Sequence, residues 1–244
     1  MTSYDGVAKL IFMPLTPCFY SLLRFLLLLG VVISSATAAP PEVRVGMGLT
    51  KPPYVFESGK EGIEVEIAEQ ALAVAGYKMV GLQFPPARGL AMHRAGQLDV
   101  LLTVDEGIGG TGYFSAPYIV YQNVAISLAS HNFQIKSIED LANYSVAAFQ
   151  NAEVILGDRF KNVVEGHSNY KEYPQQIIQN NLLYSQRVDV VVGDRRIFRF
   201  LSTQLDSKLN VKQPIAIHTI FPPNPRKAVF LDKTLRDRFN AGLK

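Results

Sequence analysis

Strands and helices alternate along the chain after residue 40, and this alternation constrains the fold more than any other feature. Residues 43–47 and 77–84 have the pattern of strands, and apolar residues recur at helical spacing over 63–75. A second helix is predicted over 87–95, and residues 98–104 are almost continuously apolar, which is typical of a strand buried on both faces of a parallel sheet. The order βαβαβ therefore predicts an α/β fold with parallel neighbouring strands.

The same pattern occurs again further along the chain. Residues 120–129, 145–149 and 188–192 are strand-like, residues 151–164 are helical, and Pro174 is placed to open another helix. Two such units joined by strand-like crossings predict two lobes with a cleft between them. In open α/β sheets, ligands bind beyond the carboxyl ends of the strands.

The N-terminal segment has the features of a secretory signal peptide. Arg24 precedes an apolar run over 25–33, and small residues follow up to Ala39. We expect cleavage after Ala38 and a periplasmic mature protein; an uncleaved anchor and a true start at Met13 are the alternatives. The single cysteine belongs to the removed segment, so the mature chain is expected to contain no disulfide.

Composition excludes several classes of function. The formal net charge is only +3, which is too small to indicate nucleic acid as a partner. The four histidines are dispersed and form no metal-ligand pair. Residues 107–112 fit a glycine-rich dinucleotide pattern, but the residues after them do not begin a helix. We therefore predict no cofactor, no metal and no catalytic residue.

Seven short motifs in a fixed order carry a resemblance to a known family. They are VGMG (45–48), PPY (52–54), GIEVEI (62–67), AGQLD (95–99), YFSAPY (113–118), IEDL (138–141) and RVDVVVGD (187–194). Together they resemble the family 3 periplasmic solute-binding proteins, the polar-amino-acid receptors of ABC transporters. The resemblance implies a type II two-lobed fold, with residues 39–120 and 223–244 in one lobe and 121–222 in the other.

The resemblance also implies a binding site for a free amino acid. In this family an arginine holds the carboxylate, an acid of the second lobe takes the ammonium, and aromatic rings cover the side chain. Both charges must be paired because desolvating them is costly. Asp194 matches the second-lobe acid, although it could simply cap the next turn, and Tyr54 matches the aromatic residue. The positions implied to contact the ligand are Tyr54, Thr103, Tyr118, Gln150, Asn151 and Asp194.

The chain departs from the family pattern at the carboxylate clamp. Residues 103–112 contain no arginine, and Asp105 places an acid near the expected position. Arg88 is the best substitute, with a surface ion pair as the alternative. An acidic cleft formed by Asp105 and Asp194 would instead favour a cationic ligand. The last predicted helix, 234–243, also ends earlier than in relatives, so part of the first lobe's cover is expected to be absent or replaced.

The expected function is binding without chemistry. A monomer would capture a small amine-bearing solute, close about crossings near residues 118–124 and 227–230, and dock on an ABC transporter permease. The first alternative is a dehydratase-like enzyme on the same scaffold, for which Asp105 or Glu106 is the candidate general acid. The second is a signalling receptor that docks on a membrane sensor.

Overall fold

The computed structural model describes residues 39–104 and 111–244. The predicted signal peptide, residues 1–38, and the candidate Asp105 lie outside the described residues. Within this part, none of the helices has the length and apolar character that crossing a membrane requires.

The regular elements follow the chain in the order predicted for an α/β protein. The strands are β1 (Glu42–Met47), β2 (Lys78–Gln83), β3 (Val100–Val104), β4 (Tyr113–Phe114), β5 (Ile119–Tyr121), β6 (Asn123–Leu128), β7 (Val146–Phe149), β8 (Tyr170–Tyr173), β9 (Val190–Asp194), β10 (Ile215–His218) and β11 (Asn224–Phe230). The α-helices are α1 (Ile63–Val74), α2 (Pro86–Arg94), α3 (Ala152–Ile155), α4 (Asp158–Val164), α5 (Gln176–Tyr184), α6 (Arg195–Ser202) and α7 (Lys233–Gly242).

The first sheet has the order β2-β1-β3-β11-β4, with β5 paired to β11. β1 runs parallel to β2 and β3, and β11 is antiparallel to its neighbours. Val100 and Leu102 of β3 pack into the cluster that also holds residues of α1 and α7, whereas Leu101 packs with residues of α2. Because apolar groups cover both faces, the apolar run of β3 is continuous rather than alternating.

The second sheet has the order β10-β6-β9-β7-β8, with β7 parallel to β8 and β9. Val190 and Val192 of β9 face one buried cluster, and Val191 faces the other. Two sheets, each with apolar clusters of its own, confirm the expected two-lobed α/β fold.

The chain passes between the sheets at Gln122, which interrupts the single strand predicted over 120–129. The side-chain amide of Gln122 donates to the carbonyl oxygens of Asn123 and Phe221, both at 2.9 Å. The return crossing runs from β10 to β11, and β11 pairs with β5, so that Asn224 lies opposite Tyr121. The two crossings are therefore hydrogen-bonded side by side. The lobe limits at 120 and 222 stay a prediction.

Two further helix predictions need correction. The helix predicted over 151–164 is divided into α3 and α4 at Gly157, whose φ of 87° is incompatible with a continuous right-handed helix. The helix expected to open at Pro174 begins at Gln176. The last helix, α7, buries Phe239 against the rings of Tyr118 and Phe230, at centroid distances of 6.2 and 5.1 Å. α7 therefore covers part of the first lobe's core.

His93 of α2 is fully buried and gives a testable pH dependence. Burial lowers its pKa from 6.5, against smaller opposing effects of the Val229 backbone and the Asp99 charge. The unfolded chain therefore binds a proton more readily, and this contribution to stability is lost as the pH falls through 6.5 towards the folded pKa. In urea unfolding, we expect His93→Leu to lose less stability than wild type between about pH 7 and about pH 5. Parallel pH profiles would contradict this.

Candidate functional site

A cavity of about 400 Å³ lies at the carboxyl ends of β1 and β3 and at the start of α2. This is the edge of a parallel sheet at which ligands are expected, and the volume suits a small molecule. Lys51 and Thr103, which carry an ammonium and a hydroxyl, are among the lining residues. Most other lining side chains are apolar and include Met47, Phe84, Pro86, Leu90, Leu101 and Val104.

A chain of hydrogen bonds runs from the cavity wall towards the crossing between the lobes. The Lys51 ammonium donates to the Tyr121 hydroxyl at 2.6 Å, and this hydroxyl donates to Oε2 of Glu64 at 2.7 Å. The Lys51 Nζ also lies 4.3 Å from the centroid of the Tyr121 ring. Tyr121 thus links a basic residue of the cavity to a fully buried carboxylate on α1.

Thr103 and Tyr118 complete the same network on the other side of Glu64. The Thr103 hydroxyl donates to Oε1 of Glu64, and it lies 2.8 Å from the Tyr118 hydroxyl. Thr103 has a φ of 58°, a backbone conformation that β-branched residues rarely adopt. Strained backbone of this kind persists where the surroundings hold it in place, and it concentrates at functional sites.

Burial shifts the pKa of both charged members of this network. It raises the pKa of Glu64, against the opposing charge of Lys51, and it lowers the pKa of Lys51, against the charge of Glu64. Burial also raises the pKa of Tyr118 and Tyr121, so both hydroxyls keep their protons and can donate. Lys51 and Glu64 are therefore two buried groups of opposite charge, joined through the Tyr121 hydroxyl rather than by a direct ion pair.

Asp194, at the end of β9, joins the second lobe to the first. Only 6% of this residue is exposed. Its Oδ1 accepts the N–H groups of Arg196 and Ile197, at 2.9 and 3.1 Å, and so caps α6. The same oxygen accepts the Tyr54 hydroxyl at 2.9 Å, and Oδ2 accepts the Gln122 N–H at 2.9 Å. Capping and contact with Tyr54 therefore occur together.

Further contacts hold α6 against the loop that follows β1. Arg196 donates to the Val120 carbonyl at 3.0 Å and lies 3.5 Å from the Tyr54 hydroxyl. The rings of Phe56 and Phe200 meet edge to face at 5.5 Å. The lobes therefore touch through polar and aromatic groups around Tyr54.

Gln150 and Asn151 lie on the second sheet, at the turn after β7, and Asn151 contacts the carboxylate of Glu172. The N–H groups of Asn151 and Glu153 donate to the carboxylate of Glu172 at 2.6 and 3.0 Å, and the Tyr170 hydroxyl donates to it at 2.7 Å. Partial burial acts to raise the pKa of Glu172, but these donors outweigh it and leave the pKa lowered. The turn therefore holds an internal carboxylate.

Arg88 lies in the first turn of α2 and is exposed. Its guanidinium carbon is 5.6 Å from the centroid of the Phe84 ring, and Phe84 lines the cavity. This position is beside the cavity, where Arg88 stays a candidate ligand residue.

Sequence reasoning missed Lys51, Glu64 and Tyr121. Glu64 could have been recognised because it precedes Ala68 by four residues, which places an acid on the buried stripe of α1. Lys51 and Tyr121 lie in a loop and at a crossing, where periodicity carries no signal. Across residues 39–104 and 111–244, no three acidic, histidine or cysteine side chains form a group that could hold a metal ion.

Comparison with known proteins supports the fold. No protein-family model and no curated protein matches the chain. Solved structures do match: an ancestral arginine-binding protein bound to arginine is 24% identical with a TM-score of 0.57, over 84% of this chain and 92% of that one. The GluR0 ligand-binding core in complex with L-glutamate is 19% identical with a TM-score of 0.59, over 83% and 90% of the chains.

A third solved structure is a histidine kinase sensor domain with similarity to periplasmic binding proteins. It is 17% identical with a TM-score of 0.58, and the match covers 84% of this chain and 90% of that one. The chain has the fold of the family 3 periplasmic solute-binding proteins, as the motifs predicted.

Proposed function

We propose that this chain is an extracytoplasmic solute-binding protein that captures a small amine-bearing solute of the amino-acid class for an ABC transporter. The fold supports binding of a solute, because its solved neighbours include proteins bound to arginine and to glutamate. The cavity at the carboxyl edge of the first sheet supplies the space. The protein makes and breaks no bond in this role.

The observation that carries the proposal is the buried Asp194 carboxylate bonded to Tyr54 at the contact between the lobes. The Tyr54 ring centroid is 5.7 Å from Nζ of Lys51, which lines the cavity, so Tyr54 contacts both Asp194 and a residue of the cavity. A solute ammonium that displaces the Tyr54 hydroxyl would give Asp194 a charged donor in place of a neutral one. Charge-assisted hydrogen bonds are the stronger kind.

The test is Asp194→Asn, assayed by the melting-temperature shift that a panel of amino acids and polyamines produces. Asparagine keeps an oxygen to cap α6 but removes the charge. We expect the solute that stabilises wild type to bind the variant about 10- to 100-fold more weakly, because hydrogen bonds to charged groups contribute about 1.5–3 kcal/mol.

Asp232 provides a matched control for this test. It caps α7 through a 2.6 Å bond to the Leu235 N–H and has the same residue type and the same capping role. Asp232→Asn should therefore bind the solute as wild type does. Equal shifts in wild type and Asp194→Asn would remove Asp194 from the site.

A sensing role is the second candidate, favoured by the likeness to the histidine kinase sensor domain. Both roles share the same solute site and differ in the membrane partner. Cross-linking of the solute-loaded protein in membranes distinguishes them, because a permease or a sensor would be recovered. The enzyme alternative predicts turnover of a cyclic acid, whereas a binding protein returns the solute unchanged.

A further inference from the structure

We propose that the cavity takes a solute with an apolar body and one carboxylate, and that Lys51 binds this carboxylate. This inference rests on the proposed solute-binding function and names the chemical class that the site selects. It assigns to Lys51 the clamp that the sequence between Thr103 and Gly112 lacks.

The lining of the cavity selects an apolar body. Phe84, Leu90 and Leu101 form its wall together with the aliphatic side chains at the ends of β1 and β3. A charged or strongly polar solute tail placed against these groups would lose its hydration without gaining hydrogen bonds. An aliphatic or aromatic tail gains free energy in proportion to the apolar area that it removes from water.

The charge of the lining residues favours an anion. Of the described residues that line it, Lys51 carries a full charge, whereas the hydroxyl of Thr103 is already bonded to Glu64. An ammonium has three donors, and within residues 39–104 and 111–244 Lys51 donates to the Tyr121 hydroxyl. This bond fixes the position of the ammonium beside Tyr121 and leaves two of its donors for a ligand.

Glu64 does not remove the need for a second anion at Lys51. Its two carboxylate oxygens accept the hydroxyls of Thr103 and Tyr121, and so its contact with Lys51 passes through Tyr121. Burial of Lys51 opposes its charge. A ligand carboxylate at hydrogen-bond distance would repay this desolvation directly.

Three compounds with the same phenyl group distinguish the contribution of the carboxylate from that of the ammonium. Phenylalanine carries a carboxylate and an ammonium, hydrocinnamate carries the carboxylate alone, and phenethylamine carries the ammonium alone. By isothermal titration calorimetry of the wild-type protein, we expect the two carboxylates to bind and phenethylamine to bind at least about 10-fold more weakly than phenylalanine. Leucine, isocaproate and isoamylamine repeat the comparison with a smaller body.

Lys51→Met is expected to weaken the binding of phenylalanine and hydrocinnamate about 10- to 100-fold and to leave the binding of phenethylamine unchanged. Because this variant leaves Glu64 buried without its counter-charge, the double variant Lys51→Met, Glu64→Gln is measured beside it. There the introduced side-chain amide can donate to the Tyr121 hydroxyl, which has lost its donor, while the amide oxygen still accepts from Thr103. The same loss of carboxylate binding is expected in the double variant.

Lys78→Met is the matched control, because Lys78 is an exposed lysine on β2 that is paired with Glu42. This variant should bind every compound as wild type does. The inference is overturned if no carboxylate of either series binds, or if phenethylamine binds as tightly as phenylalanine. It is also overturned if Arg88→Met, rather than the Lys51 variants, abolishes the preference for carboxylates over amines. Equal affinity for hydrocinnamate and phenylalanine, with no effect of Asp194→Asn, would refute the amine-binding function but leave Lys51 as the carboxylate site.

Discussion

Replacing Glu64 by alanine is expected to lower the free energy of unfolding by about 3–5 kcal/mol, because it leaves the buried charge of Lys51 uncompensated and two buried hydroxyls without their acceptor. Glu64 is 1% exposed and accepts the hydroxyls of Thr103 and Tyr121. Its removal leaves these hydroxyls without their acceptor and Lys51 without its counter-charge. Urea unfolding followed by circular dichroism measures the loss.

The control for this prediction is Glu69→Ala on the same helix. Glu69 is exposed, and surface substitutions usually change stability by no more than about 0.5 kcal/mol. Adding Lys51→Met to Glu64→Ala should cost less than the sum of the single changes, because both charges are then absent. If Glu64→Ala were no less stable than Glu69→Ala, the network would contribute nothing to folding.

Gly62→Ala is expected to cost about 3 kcal/mol, near the upper end for strained backbone. Gly62 has φ 125° and ψ 156°, a region that is essentially restricted to glycine. A Cβ there would lie 2.3 Å from the Tyr54 carbonyl oxygen. This oxygen accepts the Glu64 N–H at 3.0 Å and so satisfies the start of α1. The substitution would therefore disturb helix and loop together.

Gly76, just after the other end of α1, separates backbone strain from steric conflict. Its φ is 85°, but a Cβ there would meet no atom within 4 Å. Gly76→Ala should therefore lower the free energy of unfolding by only about 1 kcal/mol, which is the cost of the left-handed conformation for a residue with a Cβ. Guanidinium unfolding of both variants provides the comparison. Equal losses at the two positions would show that the Tyr54 contact has no steric consequence.

The sequence predicted elements well where periodicity and burial agree. β1, α1 and β3 have clear patterns, and all three contribute to the apolar cluster on the first sheet. β8 has the sequence YKEY at the sheet edge, which is too polar to be distinguished from a loop. α6 begins with two arginines, an unfavourable start for a helix, and it depends on the Asp194 cap and on packing of Ile197.

Part of the candidate site was also predictable. The family resemblance implied Tyr54, in the loop after β1, and Asp194, at the end of β9, and the structure brings them within hydrogen-bond distance. Their contact with a ligand stays a prediction. The pairing of Lys51 with Glu64 through Tyr121 depends on three elements that are distant in sequence, so no local pattern could indicate it. The division at Gln122 likewise depends on contacts with Phe221 and Asp194.

The carboxylate of Glu172 at the turn after β7 has a consequence for the choice of buffer. Glu172 belongs to β8, which pairs with β7, and its carboxylate accepts the Asn151 and Glu153 N–H groups that follow β7. A tethered group has already lost most of its translational and rotational freedom, whereas an external anion must lose this freedom when it binds. Phosphate or sulfate at ordinary working concentrations would therefore be outcompeted at this turn, and titrations in phosphate and in an amine buffer should agree there.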